Sequence, residues 1–157
     1  MSRRTRIATA LGTVLAAGTI TAGAALASPP LGSGAGGTLL RATIGGSQPS
    51  DPHLFGAAPG GAPWIISDSS ARVSQGGRLH VEVEGLVIPG RGNPVPTLSA
   101  SLACNGMVVA TTAAATFDAA GNAEIDAAVA VPTRCLAPAL LLNPNGNPAV
   151  FIAATGR

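Results

Sequence analysis

Two runs of ionisable residues alternate with apolar residues, so that each run would line one face of a β-strand. The first run is His80, Glu82 and Glu84, and the second is Glu124 and Asp126. Alternation with a period of two predicts a strand with one buried face and one wet face. Imidazole and carboxylate groups are ligands for several divalent ions, whereas charges on an exposed strand also prevent aggregation. We interpret both runs as solvated strand faces and expect no metal ion and no cofactor.

Catalytic chemistry finds little support in the spacing of the other reactive residues. The chain has no G-x-S-x-G element, and its two histidines are His53, in a proline-rich stretch, and His80. The segment 118–126 is rich in side-chain oxygens, but Ala119 and Ala120 stand where a calcium loop needs ligands. We therefore expect no catalytic residue and interpret the start of this segment as a hairpin turn.

The first 27 residues have the three-part pattern of a secretory signal peptide. Three of the first six residues are arginines, residues 7–25 are apolar and uncharged, and residues 25–27 read Ala-Leu-Ala. We expect cleavage after Ala27 and release of the product as a secreted, extracellular protein. A retained membrane anchor is the alternative, although this stretch is only weakly hydrophobic. The general secretory route fits better than the twin-arginine route, because Arg6 stands where that motif has an apolar residue.

Charge and aromatic content restrict the partners of the exported chain. The full chain has a net charge of +2, but residues 28–157 carry six arginines against seven acidic residues, which is −1. The arginines are scattered and only 3% of all residues are aromatic, so neither a basic stripe nor a base-stacking surface is expected. We expect no nucleic-acid partner and, after cleavage, no membrane contact. An extracellular protein or a small apolar ligand remains open as the partner.

The two cysteines, Cys104 and Cys135, both follow the cleavage site. An even number of cysteines in an exported chain predicts a disulfide bond. Closing a loop of about 30 residues would stabilise the fold by roughly 3–4 kcal/mol in the chain-entropy model. A metal pair is less suitable, because no histidine lies near either cysteine in the sequence.

The pattern after the signal peptide predicts an all-β fold. Residues 28–63 are rich in Gly and Pro, with one short strand expected at 39–44 and an irregular stretch after it, and residues 64–157 form the β-domain. The main strands are expected at 71–74, 79–87, 97–104, 107–117, 123–131, 140–142 and 149–154. Seven to nine short strands without a convincing helix favour an antiparallel β-sandwich, immunoglobulin-like in the loose sense.

A simple up-and-down order of these strands makes two further predictions. Asn105-Gly106 is a strong signal for a two-residue hairpin between 97–104 and 107–117. The same order brings both cysteines to one end of the sandwich, and it gathers three loops, at 88–96, 118–122 and 143–148, at the other end. Those loops supply a candidate binding surface of Arg91, Asn93, Asn122, Asn143, Asn145 and Asn147. The alternative is that Asn, Gly and Pro are simply the residues that turns require.

Four short phrases carry a family resemblance, namely GLVIP at 85–89, NPVP at 93–96, CNG at 104–106 and RCLAP at 134–138. Over residues 78–156 the chain resembles small exported β-rich proteins of high-GC Gram-positive bacteria that have no assigned function. The resemblance covers about half the chain and implies no activity. A looser similarity is to the bacterial apoproteins that carry enediyne antibiotics, which have two disulfides and a cleft with aromatic walls.

These observations together predict a non-enzymatic, secreted β-sandwich protein that binds a partner or acts at the cell surface. Two alternatives stay open. An extracellular carrier of a small apolar ligand would need an apolar pocket of about 300 Å³ or more. A secreted hydrolase would need His53 or His80 within hydrogen-bond reach of a serine and a carboxylate.

Overall fold

A computed structural model describes residues 36–156, which fold into two stacked β-sheets and a small third one. The strands are β1 (Thr38–Ala42), β2 (Ile44–Gly46), β3 (Ala58–Pro59), β4 (Asp68–Ser74), β5 (Arg78–Glu84), β6 (Thr97–Cys104), β7 (Met107–Thr111), β8 (Ala115–Thr116), β9 (Ala123–Ala128), β10 (Ala139–Pro144), β11 (Val150–Phe151) and β12 (Ala153–Thr155). No helix occurs in this part of the chain, and hence none that could cross a membrane. The expected all-β class is confirmed, while the proposed signal peptide lies outside the described residues.

The first sheet has the antiparallel order β1-β4-β5-β9. Its strands form because apolar and polar residues alternate, and Leu79, Val81 and Val83 of β5 are at most 1% exposed on the inner side. The outer side of this sheet carries the charged residues and faces solvent. The predicted partner strand at 71–74 is confirmed as the second half of β4, which pairs with β5.

The second sheet has the order β2-β12-β10-β6-β7, and β8 pairs with the first residues of β6. The hairpin between β6 and β7 turns at Asn105-Gly106 with positive φ angles of 56° and 81°, as the two-residue turn requires. The core between the sheets includes Trp64, Leu102, Phe117 and Leu142. Burial of this apolar core is the main stabilising contribution to the sandwich.

The outer face of the second sheet is covered by the chain itself. The parallel β3–β11 pair joins the segment 47–63 to the residues that follow β10. Beneath it, Leu141 and Phe151 are fully buried and pack with Ala57 and Ala154 in a second apolar cluster. The alternation in 97–104 assigns its residues to the correct faces, but it does not reveal that both faces of β6 are buried.

The predicted sequential pairing of strands is confirmed between 97–104 and 107–117 but is wrong between 79–87 and 97–104 and between 107–117 and 123–131. After β5 the chain crosses to the second sheet for β6, β7 and β8, and it then returns so that β9 pairs with β5. The physical reason is burial. A strand that is buried on both faces suits the middle of the covered sheet, whereas β9 has the same single acidic face as β5 and extends the exposed sheet.

The described residues contain twelve strands, more than the seven to nine expected, because three predicted strands are each divided in two and two of these also change sheets. The strand expected at 39–44 is divided between β1 in the first sheet and β2 in the second. The strand expected at 149–154 is divided between β11 and β12, and 107–117 is divided between β7 and β8. β1 therefore lies in the first sheet and β2 in the second, the same two sheets to which the strands after residue 63 belong.

Cys104 and Cys135 form the expected disulfide bond, with 4.9 Å between their Cα atoms. The bond ties the end of β6 to the loop that follows β9. Asn105 reinforces this junction, because its side chain accepts a hydrogen bond from Leu136 N and donates one to Arg134 O, both at 2.9 Å. This end of the sandwich is therefore held by a covalent bond and by side-chain hydrogen bonds.

Candidate cation-binding face

The outer face of the first sheet brings together the two ionisable runs that lie 40 residues apart in the sequence. In the antiparallel pairing of β5 and β9, His80 lies opposite Asp126 and Glu82 lies opposite Glu124. The four side chains form a two-by-two group on one face. We refer to this group of His80, Glu82, Glu124 and Asp126 as the acidic square.

The donor atoms of the acidic square converge. His80 Nδ1 lies 2.9 Å from Asp126 Oδ1, and the two side chains are 31% and 68% exposed. One donor atom each from His80, Glu124 and Asp126 lie within 4.8 Å of one another. Ligands at about 2.0–2.2 Å from a metal ion lie at most about 4.4 Å apart, so small side-chain rotations would complete such a site.

Like charges oppose one another on this face. Besides Glu82 and Glu124, Asp68 of β4 lies directly opposite Glu84 of β5. Opposed like charges on neighbouring strands are destabilising. Within residues 36–156, no arginine lies within 4.0 Å of these carboxylates, and the one basic side chain at that distance on the face is His80, which contacts Asp126.

The charges are also segregated along the strands. Six of the seven acidic residues of the chain lie on this face or in the adjoining turn, the exception being Asp51. The arginines of the first sheet, Arg41, Arg72 and Arg78, are exposed in the other half of its strands, where Arg72 lies directly opposite His80. An open groove of about 790 Å³ runs along the acidic part and is lined by Glu82, Glu84, Asp118 and Glu124, among others.

The turn that leads into β9 positions the edge of this groove. Asp118 accepts hydrogen bonds from the Asn122 backbone N–H at 2.8 Å and from Asn122 Nδ2 at 3.0 Å. The backbone bond from Asn122 is the main reason why the pKa of Asp118 is lowered from its ordinary value of 3.8. Gly121 has φ +85°, and a Cβ there would lie 2.5 Å from Leu86 O, so only glycine fits this close approach.

Of the three loops predicted to gather at one end, those at 88–96 and 118–122 contact each other. The loop at 143–148 contacts β6. Asn93 Nδ2 donates to Asp118 O at 2.7 Å, which joins the first two loops. Asn145 N donates to Thr97 O at 2.9 Å, which anchors the third loop to β6. Asn122 also accepts a hydrogen bond from Gly85 N at 3.1 Å.

The candidate loop surface is smaller than predicted. Arg91, Asn145 and Asn147 are exposed. Asn143 is wrongly placed on this surface by the sequence interpretation, because it lies within β10, is fully buried and bonds to Ser101 and Val150. Asn93 and Asn122 are engaged in the loop contacts described above, so their amides serve to fix the loops.

The geometry expected of a hydrolase is not assembled in the described part of the chain, whereas an apolar hollow of the size expected of a carrier is present. His80 bonds to a carboxylate, but neither His80 nor His53 has a serine as a hydrogen-bond partner within residues 36–156. A mostly apolar hollow of about 350 Å³ lies beside Leu54 and Phe55. It meets the volume expected of a carrier site but is half open, whereas a carrier site encloses most of its ligand.

The acidic square could not be recognised from either run alone, since each half has the pattern of an ordinary solvated strand. The sequence signal for the combined site is that both runs alternate strictly and both place acidic residues on the solvent-exposed face. Comparisons of the chain with protein-family models, curated proteins and solved structures find no match.

Proposed function

We propose that this protein is an exported, non-enzymatic β-sandwich module, immunoglobulin-like in the loose sense, that binds a divalent metal ion at the acidic square. The observation that carries the proposal is the convergence of His80, Glu124 and Asp126 donor atoms within 4.8 Å. Glu82, directly opposite Glu124, would supply a fourth ligand. One imidazole with carboxylates suits a transition metal ion such as Zn²⁺ or Mn²⁺ better than Ca²⁺, which prefers an all-oxygen set.

The arrangement of charges favours a ligand over a merely solvated face. A solvated face would gain about 0.2–1 kcal/mol from each cross-strand pair of opposite charge. This chain instead opposes Glu82 to Glu124 and Asp68 to Glu84. The arginine that lies directly opposite a member of the acidic square, Arg72, faces His80 and not a carboxylate. A bound cation would offset the repulsion within the acidic square, because the opposed carboxylates would both coordinate it.

Export is supported by two independent features. The first 27 residues have the pattern of a signal peptide, and the one disulfide bond is of the kind that persists in oxidising compartments. The ion would therefore be taken from the extracellular medium. Because the acidic square is exposed, we expect modest affinity and rapid exchange.

The proposal is tested by calorimetric titration of the disulfide-bonded protein with Zn²⁺, Mn²⁺ and Ca²⁺ separately. Wild type should bind one equivalent of Zn²⁺ or Mn²⁺ more tightly than Ca²⁺. H80A and D126N should abolish this binding. E84Q is the matched control, since it removes a carboxylate from the same strand face but outside the acidic square, and it should bind as wild type does.

Two outcomes would overturn the proposal. One is the absence of Zn²⁺ and Mn²⁺ binding to wild type, and the other is unchanged binding to H80A. A parallel titration with an oligoarginine peptide identifies the competing explanation. If that peptide binds, and E84Q weakens it as much as E124Q does, the face is a diffuse electrostatic surface for basic partners instead of a metal site.

A further inference from the structure

The asparagines of this chain differ in their susceptibility to deamidation. Asparagine deamidates when the backbone nitrogen of the next residue attacks its side-chain carbonyl carbon. The chain has six asparagines, and three of them, Asn93, Asn143 and Asn147, precede proline. Proline has no backbone N–H, so its nitrogen cannot form the cyclic imide by this route. Only Asn105, Asn122 and Asn145 remain as candidates.

Two of these three side chains are held by hydrogen bonds. Asn122 Oδ1 accepts from Gly85 N at 3.1 Å, and its Nδ2 donates to Asp118 at 3.0 Å. Asn105 Oδ1 accepts from Leu136 N, and its Nδ2 donates to Arg134 O, both at 2.9 Å. Each amide must break two hydrogen bonds before its carbonyl carbon can rotate towards the attacking nitrogen.

Asn105 and Asn145 form a natural matched pair. Both precede glycine, both are exposed, and both occupy the first central position of a two-residue turn with φ angles of 56° and 54°. The glycines that follow, Gly106 and Gly146, both have positive φ and open space where a Cβ would stand. The difference lies in the side chain, because the Asn145 amide makes no hydrogen bond within residues 36–156, whereas the Asn105 amide makes two.

We infer that Asn145 is the site of spontaneous deamidation in this protein and that the fold protects Asn105 and Asn122. The Gly146 backbone nitrogen attacks Cγ of Asn145, loses its proton to water and expels ammonia, which leaves a succinimide. Water then opens the succinimide at either carbonyl and gives aspartate or isoaspartate. The balance is one amide and one water consumed, with one carboxyl group and one ammonia formed.

The product would alter the loop at 143–148. Each event adds one negative charge, and the isoaspartate form also inserts a methylene into the main chain of the turn. The Asn145 backbone N–H donates to Thr97 O at 2.9 Å, so this lengthening acts on the bond that anchors the loop to β6. Protein that has aged outside the cell would therefore accumulate a more acidic and more loosely anchored loop.

The test is a time course of the folded, disulfide-bonded protein at mildly alkaline pH, followed by peptide mapping with fragmentation that separates aspartate from isoaspartate. We expect Asn145 to convert faster than Asn105 by about tenfold or more, because the second residue must first lose two hydrogen bonds. N145D supplies the authentic aspartate product as a standard. N145Q, whose imide ring is larger and forms more slowly, should remove the acidic species.

The same time course on reduced protein in denaturant is the control. Both Asn-Gly sites should then convert at similar rates, since the fold no longer distinguishes them. The inference is overturned if Asn105 converts as fast as Asn145 in the folded protein. It is also overturned if the difference between the two sites persists in denaturant, because the local sequence and not the structure would then set the rates.

Discussion

On the outer face of the second sheet Ser101 and Asn143 are buried and paired, whereas on the outer face of the first sheet Glu82 and Glu124 are exposed and opposed by like charge. Ser101 bonds to Asn143 at 2.7 Å and to Thr111 at 2.8 Å beneath the covering segment. Glu82 faces Glu124 in the open. The covered face contributes stability, while the open face sacrifices some stability for a concentration of negative charge. We regard this difference as a division of roles between the two sheets.

The largest effect should come from removing apolar volume beneath the cover. L141A truncates a fully buried leucine of β10 and should lower the free energy of unfolding by about 3 kcal/mol, because it leaves a cavity. L136A is the same substitution at a leucine that is 63% exposed, and it should cost less than about 0.5 kcal/mol. Urea denaturation measures both, and equal effects would show that the covered face is not a true core.

A second comparison lies within β6. S101A leaves Asn143 Oδ1 without its serine donor and should lower the free energy of unfolding by about 1–2 kcal/mol. Ser99 is equally buried, but its hydroxyl has no partner in the described part of the chain. S99A should therefore be neutral or slightly stabilising, since it removes a buried unsatisfied group. A larger loss for S99A than for S101A in the same denaturation experiment would contradict this ranking.

Substitutions on the open face should have smaller effects on the free energy of unfolding, and the sign should depend on which charge is removed. E82Q removes the repulsion with Glu124 and should raise the free energy of unfolding by about 0.5 kcal/mol at low salt. D126N removes the partner of His80 and should lower it slightly. Both differences should shrink at high ionic strength, where surface charges are screened. Denaturation at two salt concentrations checks this. A loss of stability in E82Q would contradict the claim that Glu82 and Glu124 repel each other.

The smallest effect concerns the turn beside the open face. Folding lowers the pKa of Asp118 below 3.8, so the ionised carboxylate contributes stability above that pH, and this contribution is lost as the pH falls through the folded pKa. D118N should be slightly less stable than wild type at neutral pH and indistinguishable from it in strong acid. Thermal melts across this range provide the measurement, and a difference that persists in acid would mean that charge is not involved.

Strict alternation was enough to predict the strands of the first sheet. In β5, and in β9 as far as Asp126, each apolar residue is buried and each acidic residue is exposed, because one face of this sheet meets water. In β6 the same alternation of apolar residues with serine is compatible with a covered face, since serine is small enough to be buried when it finds a partner. Asn143 shows the same ambiguity, because an asparagine beside proline usually indicates a turn.

The candidate site was predictable only in halves. His80 and Asp126 are brought together by pairing between strands separated by an excursion through the other sheet. No local pattern encodes that excursion. The excursion depends on which strands bury both faces and which strands bury only one. The disulfide was easier to predict, because two cysteines allow a single pairing.

The pairing of β2 with β12 has a consequence for how the protein reaches its native state. Ile44 lies opposite Thr155 and Gly46 opposite Ala153, so the second sheet is completed only when segments more than a hundred residues apart in the sequence meet. Contacts of such long range must overcome a large loop-closure entropy and slow folding. A chain that cannot complete this sheet early therefore remains unfolded for longer after synthesis.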